Sequence, residues 1–122
     1  MSSDNRNYSR QEVKKKFELL RQTQRQLYAE MANAEVQLSD YREVLWALKN
    51  SDPAAKCFYS QPGVLVQRTV EEIFPIVVLD KEKLENEIEK LRLRIEEKSR
   101  EVEQFRATFN IQFLSEEQSQ AI

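Results

Sequence analysis

Reactive side chains are scarce in this sequence, and their spacing builds no catalytic group. Cys57 is the only thiol and there is no histidine. A Cys–His nucleophile pair, imidazole acid–base chemistry and histidine metal ligation are therefore all out of reach. One thiolate cannot build a structural zinc site either. Gly63 is the only glycine, which leaves no glycine-rich loop to cradle a phosphate. Carboxylates are many, but they stand at helix-surface spacing, with no apolar surroundings to bury a pair for general acid–base work. Lys14-Lys15-Lys16 is the one basic run. A nucleic-acid or acidic-lipid patch is one reading of it; a solvated helix face is the simpler one. The residues point to no enzyme and to no cofactor or metal.

The chemistry that remains is adhesion between apolar surfaces. Cys57-Phe58-Tyr59 and Val64-Leu65-Val66 are aromatic and β-branched runs of strand length. Between them lies Gln61-Pro62-Gly63-Val64. Proline presets the backbone for the second position of a turn and glycine accepts the positive φ of the third, so a type II turn and a hairpin over 56–69 follow. A type II turn splays strands, which predicts a bulge or a longer loop. Strand alternation puts Val64 and Val66 on one face and Leu65 on the other, so neither face is cleanly polar. A lone two-stranded hairpin is marginal in water and has two open edges. Hairpins from several chains pairing edge to edge would resolve both problems. Cys57, Phe58, Tyr59, Val64, Leu65 and Val66 are the expected assembly residues, with Cys57 acting as a small apolar side chain rather than a redox switch.

The rest of the chain must hold this hairpin out. With 122 residues, one glycine, three prolines and a third of its residues charged, the composition is that of long helices and coiled coils. Ser9 with Glu12 forms a capping-box start. From there Val13, Phe17, Leu20, Gln24, Leu27, Met31, Ala34, Leu38, Tyr41, Leu45 and Leu48 recur in alternating steps of four and three, a heptad seam. The helix would be about 60 Å long at 1.5 Å per residue. Gln24 is the polar member of that seam, a soft spot or register marker. Val44 and Trp46 lie off the seam, so the apolar face widens before Asn50-Ser51-Asp52-Pro53 stops the helix; Trp46 reads as ordinary packing. After the hairpin, Thr69 and Glu72 form a second capping box. Pro75 predicts a kink or a short separate helix over 70–79, with Asp80 capping a new start. A second seam then runs Leu84, Ile88, Leu91, Ile95, Lys98, Val102, Phe105, Phe109.

Two heptad helices flanking a shorter hairpin fold back as an antiparallel coiled coil. The expected organisation is mainly α: a polar tail 1–8, a helical arm 9–50, the hairpin, a short helix 70–79, a second arm 80–114 and a polar tail 115–122. The net charge of −2 argues for neither a nucleic-acid nor a membrane-surface partner. One cysteine suits a reducing compartment. The start MSSDNRNYSR does not read as a secretory signal. The apolar run from Ile73 to Leu79 is far short of the roughly 20 residues a membrane span needs. Cytosol or nucleus is the expected location.

The order heptad helix, single hairpin, heptad helix resembles a β-type subunit of prefoldin. KCFYSQPGVLVQRTVEEIFP is similar to that family's hairpin and following helix, and VEQFRATFNIQF to its C-terminal arm. The likeness covers nearly all of residues 12–114. Pro62-Gly63 departs from the glycine-rich turn common in the family. The resemblance implies a single domain over 1–122 in a heterohexameric, ATP-independent chaperone of two α-type and four β-type subunits. Their hairpins would form a double β-barrel body carrying coiled-coil arms. It implies unfolded clients, actin and tubulin among them, held at the arm tips and passed to the cytosolic chaperonin. The tip residues would be Val13, Phe17 and Leu20 with Phe105, Phe109, Ile111, Phe113 and Leu114. A scaffold or adaptor subunit of a nuclear or cytoskeletal assembly complex is the alternative.

Overall fold

Ser9 opens the first helix as the sequence requires: its Oγ accepts the Glu12 backbone N–H at 3.1 Å, satisfying one of the donors a helix start leaves free. The computed structural model describes residues 8–110, with Gln61 by its backbone alone. The chain order is helix α1 (Arg10–Lys49), strand β1 (Lys56–Gln61), strand β2 (Val64–Thr69) and helix α2 (Val70–Thr108). The stop after α1 is built from side chains. Asn50 Nδ2 donates to the Trp46 carbonyl and Ser51 Oγ to the Ala47 carbonyl, both at 2.7 Å. Asp52 Oδ1 accepts the Ala54 N–H at 2.9 Å in an Asx turn.

At the start of α2, Thr69 and Glu72 complete a reciprocal capping box. The Glu72 N–H reaches Thr69 Oγ1 at 3.2 Å, and the Thr69 N–H reaches Glu72 Oε1 at 3.3 Å. Two more free donors are taken by the preceding loop: the Val70 and Glu71 N–H groups bond to the carbonyls of Ala55 and Pro53. The short separate helix over 70–79 is not formed, because α2 runs from Val70 to Thr108 with Pro75 inside it. Proline at this position removes a single i→i−4 bond, and the helix start is already held by the cap and the loop. Burial continues in phase across it: Val70, Val77 and Leu84, seven residues apart, are all buried. Asp80 is an interior residue of the helix, not a cap.

The chain divides into two compact units, Ala29–Arg92 and the pair Met1–Tyr28 with Leu93–Ile122. In the first, Ala34, Leu84 and Ile88 form the core, with Met31, Leu38, Tyr41 and Leu91 packed around it. Ala34 lets the helix backbones approach, and the longer side chains close the rim. In the second, Leu27 and Val102 are buried, Val102 most completely at 2% exposure. Gln24 is buried too, at 7%. Its Nε2 donates to Ser99 Oγ at 3.2 Å and its Oε1 accepts from Arg21 Nη1. A buried amide paired across the helices is satisfied in only one register, the role a polar seam residue plays in coiled coils. Within each unit early residues of α1 meet late residues of α2, so the helices pair antiparallel. Every seam position named above is buried or half-buried. The ion pairs Lys81–Glu85, Glu89–Arg92, Lys98–Glu101 and Glu103–Arg106 each link residues three or four apart on one helix.

The hairpin ladder is continuous, with Lys56 opposite Thr69 at the open end and Gln61 opposite Val64 at the turn. The expected bulge or longer loop is not found. Pro62 excludes turn types that need positive φ at the first central residue, and Gly63 has φ of 77°, the type II pattern. The paired strands hold register against the local splay. A Cβ on Gly63 would touch nothing within 4 Å, so Gly63→Ala isolates the backbone term. It is expected to cost about 1 kcal/mol, read as a lower urea midpoint. An unchanged midpoint would mean that the turn adopts another geometry in solution.

Candidate functional site

Cross-strand partners share a face, so the register divides the hairpin residues into two sets. One face carries Lys56, Phe58, Ser60, Leu65, Gln67 and Thr69; the other carries Cys57, Tyr59, Val64, Val66 and Arg68. Phe58 and Leu65 sit diagonally on the first face and are 67% and 65% exposed. On the second, Val64 is 58% exposed, while Cys57, Tyr59 and Val66 are half-buried. Apolar side chains therefore stand on both faces of a two-stranded sheet whose outer edges pair with no other strand among the described residues.

The same unit exposes apolar residues the sequence reading did not assign to a surface. Trp46, read there as ordinary packing, is 69% exposed. Val44, Ile76 and Leu79 are exposed as well. The signal was available in Ile73-Phe74-Pro75-Ile76-Val77-Val78-Leu79, because a helix that is apolar all round needs cover on every side. Cys57 is a free, half-buried thiol, opposite Arg68 in the register. No metal-ligating cluster occurs among the described residues. Cys57→Ala is expected to shift stability by less than about 1 kcal/mol and to leave assembly unchanged under reducing and mildly oxidising conditions. Oxidation that impairs wild type but spares the alanine variant would overturn this.

The other apolar surface lies where α1 begins and α2 ends. Phe17 stacks on Phe105 with ring centroids 6.2 Å apart, and Phe105 meets Phe109 at 4.7 Å. Tyr8, placed by sequence in a polar tail, packs edge-on against Phe109 at 6.0 Å, and its hydroxyl accepts from Lys16 Nζ at 2.7 Å. Val13, Phe17, Leu20, Phe105 and Phe109 are each half-buried: they pair with one another yet keep part of their surface in solvent. Two open grooves result. Leu19, Leu20, Thr23 and Phe105 line one with Lys16 and Glu101 at its edge. Tyr8, Val13, Phe17 and Phe109 line the other with Arg10 and Lys14. Exposed Leu19 was not anticipated; its place beside Leu20 on the seam flank was the clue. Ile111, Phe113 and Leu114, also expected at this site, lie outside the described residues. No helix among the described residues is long and apolar enough to cross a membrane.

Comparison with known proteins agrees with this arrangement. Residues 11–116 match the prefoldin subunit family. The chain is 36% identical over 105 residues to human prefoldin subunit 2, covering 86% of this chain and 68% of that protein. It is 34% identical over 92 residues to prefoldin subunit 2 of Arabidopsis thaliana, 75% of this chain and 62% of that one. A probable prefoldin subunit 2 of Dictyostelium discoideum is 26% identical over 116 residues, 95% of this chain and the whole of the relative. Prefoldin subunits are non-enzymatic chaperone subunits, and the family implies assembly with other prefoldin subunits. Two long helices paired antiparallel within each unit and joined by one exposed apolar hairpin, with a family match over most of the sequence, make this chain a member of the prefoldin subunit family.

Proposed function

We propose that this chain is a β-type subunit of a heterohexameric, ATP-independent co-chaperone in the cytoplasm. The complex captures unfolded polypeptides, actin and tubulin chains among them, and delivers them to the cytosolic chaperonin. The observation that carries this reading is the hairpin: two short strands, apolar side chains on both faces and two open edges. Such a sheet is marginal by itself and gains stability when other strands join it. Cys57, Phe58, Tyr59, Val64, Leu65 and Val66 serve as the assembly residues, and exposed Trp46, Ile76 and Leu79 extend the same surface. At the helix ends, Val13, Phe17, Leu20, Phe105 and Phe109 offer half-exposed apolar rims of the kind an unfolded chain can bury. Ile111, Phe113 and Leu114 belong to the same region by sequence.

The test is co-expression with the other subunit types, followed by a native mass measurement and an aggregation assay on denatured tubulin. A hexamer that suppresses aggregation without ATP and releases its client to the chaperonin supports the proposal. A homodimer without such activity would favour the scaffold reading and overturn it.

A further inference from the structure

We propose that the groove lined by Tyr8, Arg10, Val13, Lys14, Phe17 and Phe109 selects among unfolded chains by charge. It takes extended segments whose large apolar side chains are flanked by carboxylates and disfavours those flanked by lysine or arginine. Arg10 and Lys14 make the choice. The inference rests on the client role proposed above and names the class of segment this subunit receives. Its first support is a shared helix face. Arg10, Val13, Lys14 and Phe17 stand at i, i+3, i+4 and i+7 of α1, so they lie along one side of that helix. Val13 and Phe17 give this side an apolar floor, and Tyr8 and Phe109 wall it. The wall is held in place. Tyr8 packs edge-on against Phe109 at 6.0 Å, while Lys16 Nζ lies 4.4 Å from the Tyr8 ring centre and donates to its hydroxyl at 2.7 Å. The result is an apolar groove of about 350 Å³ bordered by two cations.

The second support is the sign of the charge. No carboxylate lines this groove. Arg10 and Lys14 are exposed and form no ion pair among the described residues. Glu12 and Glu18 share an adjoining polar hollow with Lys14 but do not pair with it. Over residues 8–17 four cations, Arg10, Lys14, Lys15 and Lys16, stand against Glu12 alone, in a chain whose net charge is −2. The other groove of the same unit is different. It carries Lys16 and Glu101, and Glu101 is held by Lys98 at 2.8 Å, so its charges are balanced. Positive sign belongs to one groove of the two. The energetics then divide the work: buried apolar surface supplies affinity, and the rim charges supply choice. A lysine-flanked segment buries the same apolar area but sets like charges side by side, the repulsive element that specificity needs. The Cβ atoms of Arg10 and Lys14 are about 5–6 Å apart on the helix, and alternate residues of an extended chain are about 6.6 Å apart. Carboxylates at alternate positions can therefore meet both cations at once.

The test uses the assembled complex, with Cys57→Ala and Gln11→Cys in this chain. A benzophenone photo-crosslinker is attached at exposed position 11 before assembly, so that binding is read beside this groove and not at other subunits. The probes are short labelled peptides carrying Phe and Leu flanked by aspartate, by asparagine or by lysine, each titrated to half-saturation of crosslinking. The aspartate peptide should bind at least about fivefold more tightly than the lysine peptide, since two exposed contacts change from attraction to repulsion. High salt should bring that ratio toward one. Arg10→Gln with Lys14→Gln should do the same at low salt, and Arg10→Glu with Lys14→Glu should reverse the preference. Arg10→Lys with Lys14→Arg should restore it. The asparagine peptide is the reference within each variant, so the ratios report charge rather than folding. Equal half-saturation for the aspartate and lysine peptides would overturn the selection and leave the client site standing. Crosslinking of none of the three, by a complex that still suppresses aggregation, would overturn the client site and the selection with it.

Discussion

Leu65→Asp is expected to exclude the chain from the assembled complex while leaving its helices formed. In the isolated chain Leu65 is 65% exposed, so the charge costs little there beyond the weaker strand preference of aspartate, within about 1 kcal/mol. Once other strands cover the hairpin, the same carboxylate is buried with no cation of its own hairpin beside it. Its neighbours on that face are Phe58, Ser60 and Gln67. An uncompensated buried charge costs several kcal/mol, and each 1.4 kcal/mol is about a factor of ten in an association constant. Assembly should weaken at least about a hundredfold. Pull-down of tagged partner subunits reads incorporation, and far-ultraviolet circular dichroism reads the helices. Leu65→Thr, which keeps strand preference without charge, should incorporate nearly as wild type does. Normal stoichiometric incorporation of the aspartate chain would show that the hairpin is not the assembly element.

The helices were legible because their information is periodic and local. Each seam residue from Val13 to Leu48 and from Leu84 to Phe109 is buried or half-buried, since steps of four and three fix one helix face whatever packs against it. Thr69 and Glu72 formed the full capping box, and Ser9 capped the Glu12 N–H, as the sequence dictated. Pro75 does not end a helix here, for a physical reason. Its effect depends on whether the surrounding turns are held, and the bonds from Val70 and Glu71 to Ala55 and Pro53 come from a loop whose path the sequence does not specify. The hairpin turn failed in the same way: splay is a local tendency, and six cross-strand pairs override it.

Surfaces were harder to read than seams. Composition marks Phe58 and Leu65 as apolar but does not say whether the chain covers them itself, and only the register shows them diagonal on one open face. Trp46 reads as ordinary packing where the apolar face widens, and one residue off the seam it is 69% exposed in the single chain. Tyr8 lies before the capping residue, where no periodicity applies, so its contact with Phe109 was not accessible from pattern. Gln24 was legible as an exception, but its partner Ser99 is not a seam residue and could not be chosen from sequence.

Removing the apolar rims at the helix ends should leave assembly intact and impair client capture. The variant is Val13→Ser with Phe17→Ser in a chain ending at residue 108, which eliminates Phe109 and the stacked edge it shares with Phe105. None of these residues belongs to the hairpin, and the core of the hairpin unit rests on Ala34, Leu84 and Ile88, so incorporation should persist. Full burial of one large apolar side chain is worth about 1.5–3 kcal/mol. Partial burial of three such groups by a client therefore corresponds to at least about a tenfold loss of affinity at this subunit. The loss measured on the whole complex should be smaller, because the other subunits still engage the same client and the contacts reinforce one another. The effect should grow as clients become shorter and can bridge fewer subunits. If the trimmed complex suppresses aggregation of short and long clients as well as wild type does, the helix ends of this subunit are not a client site.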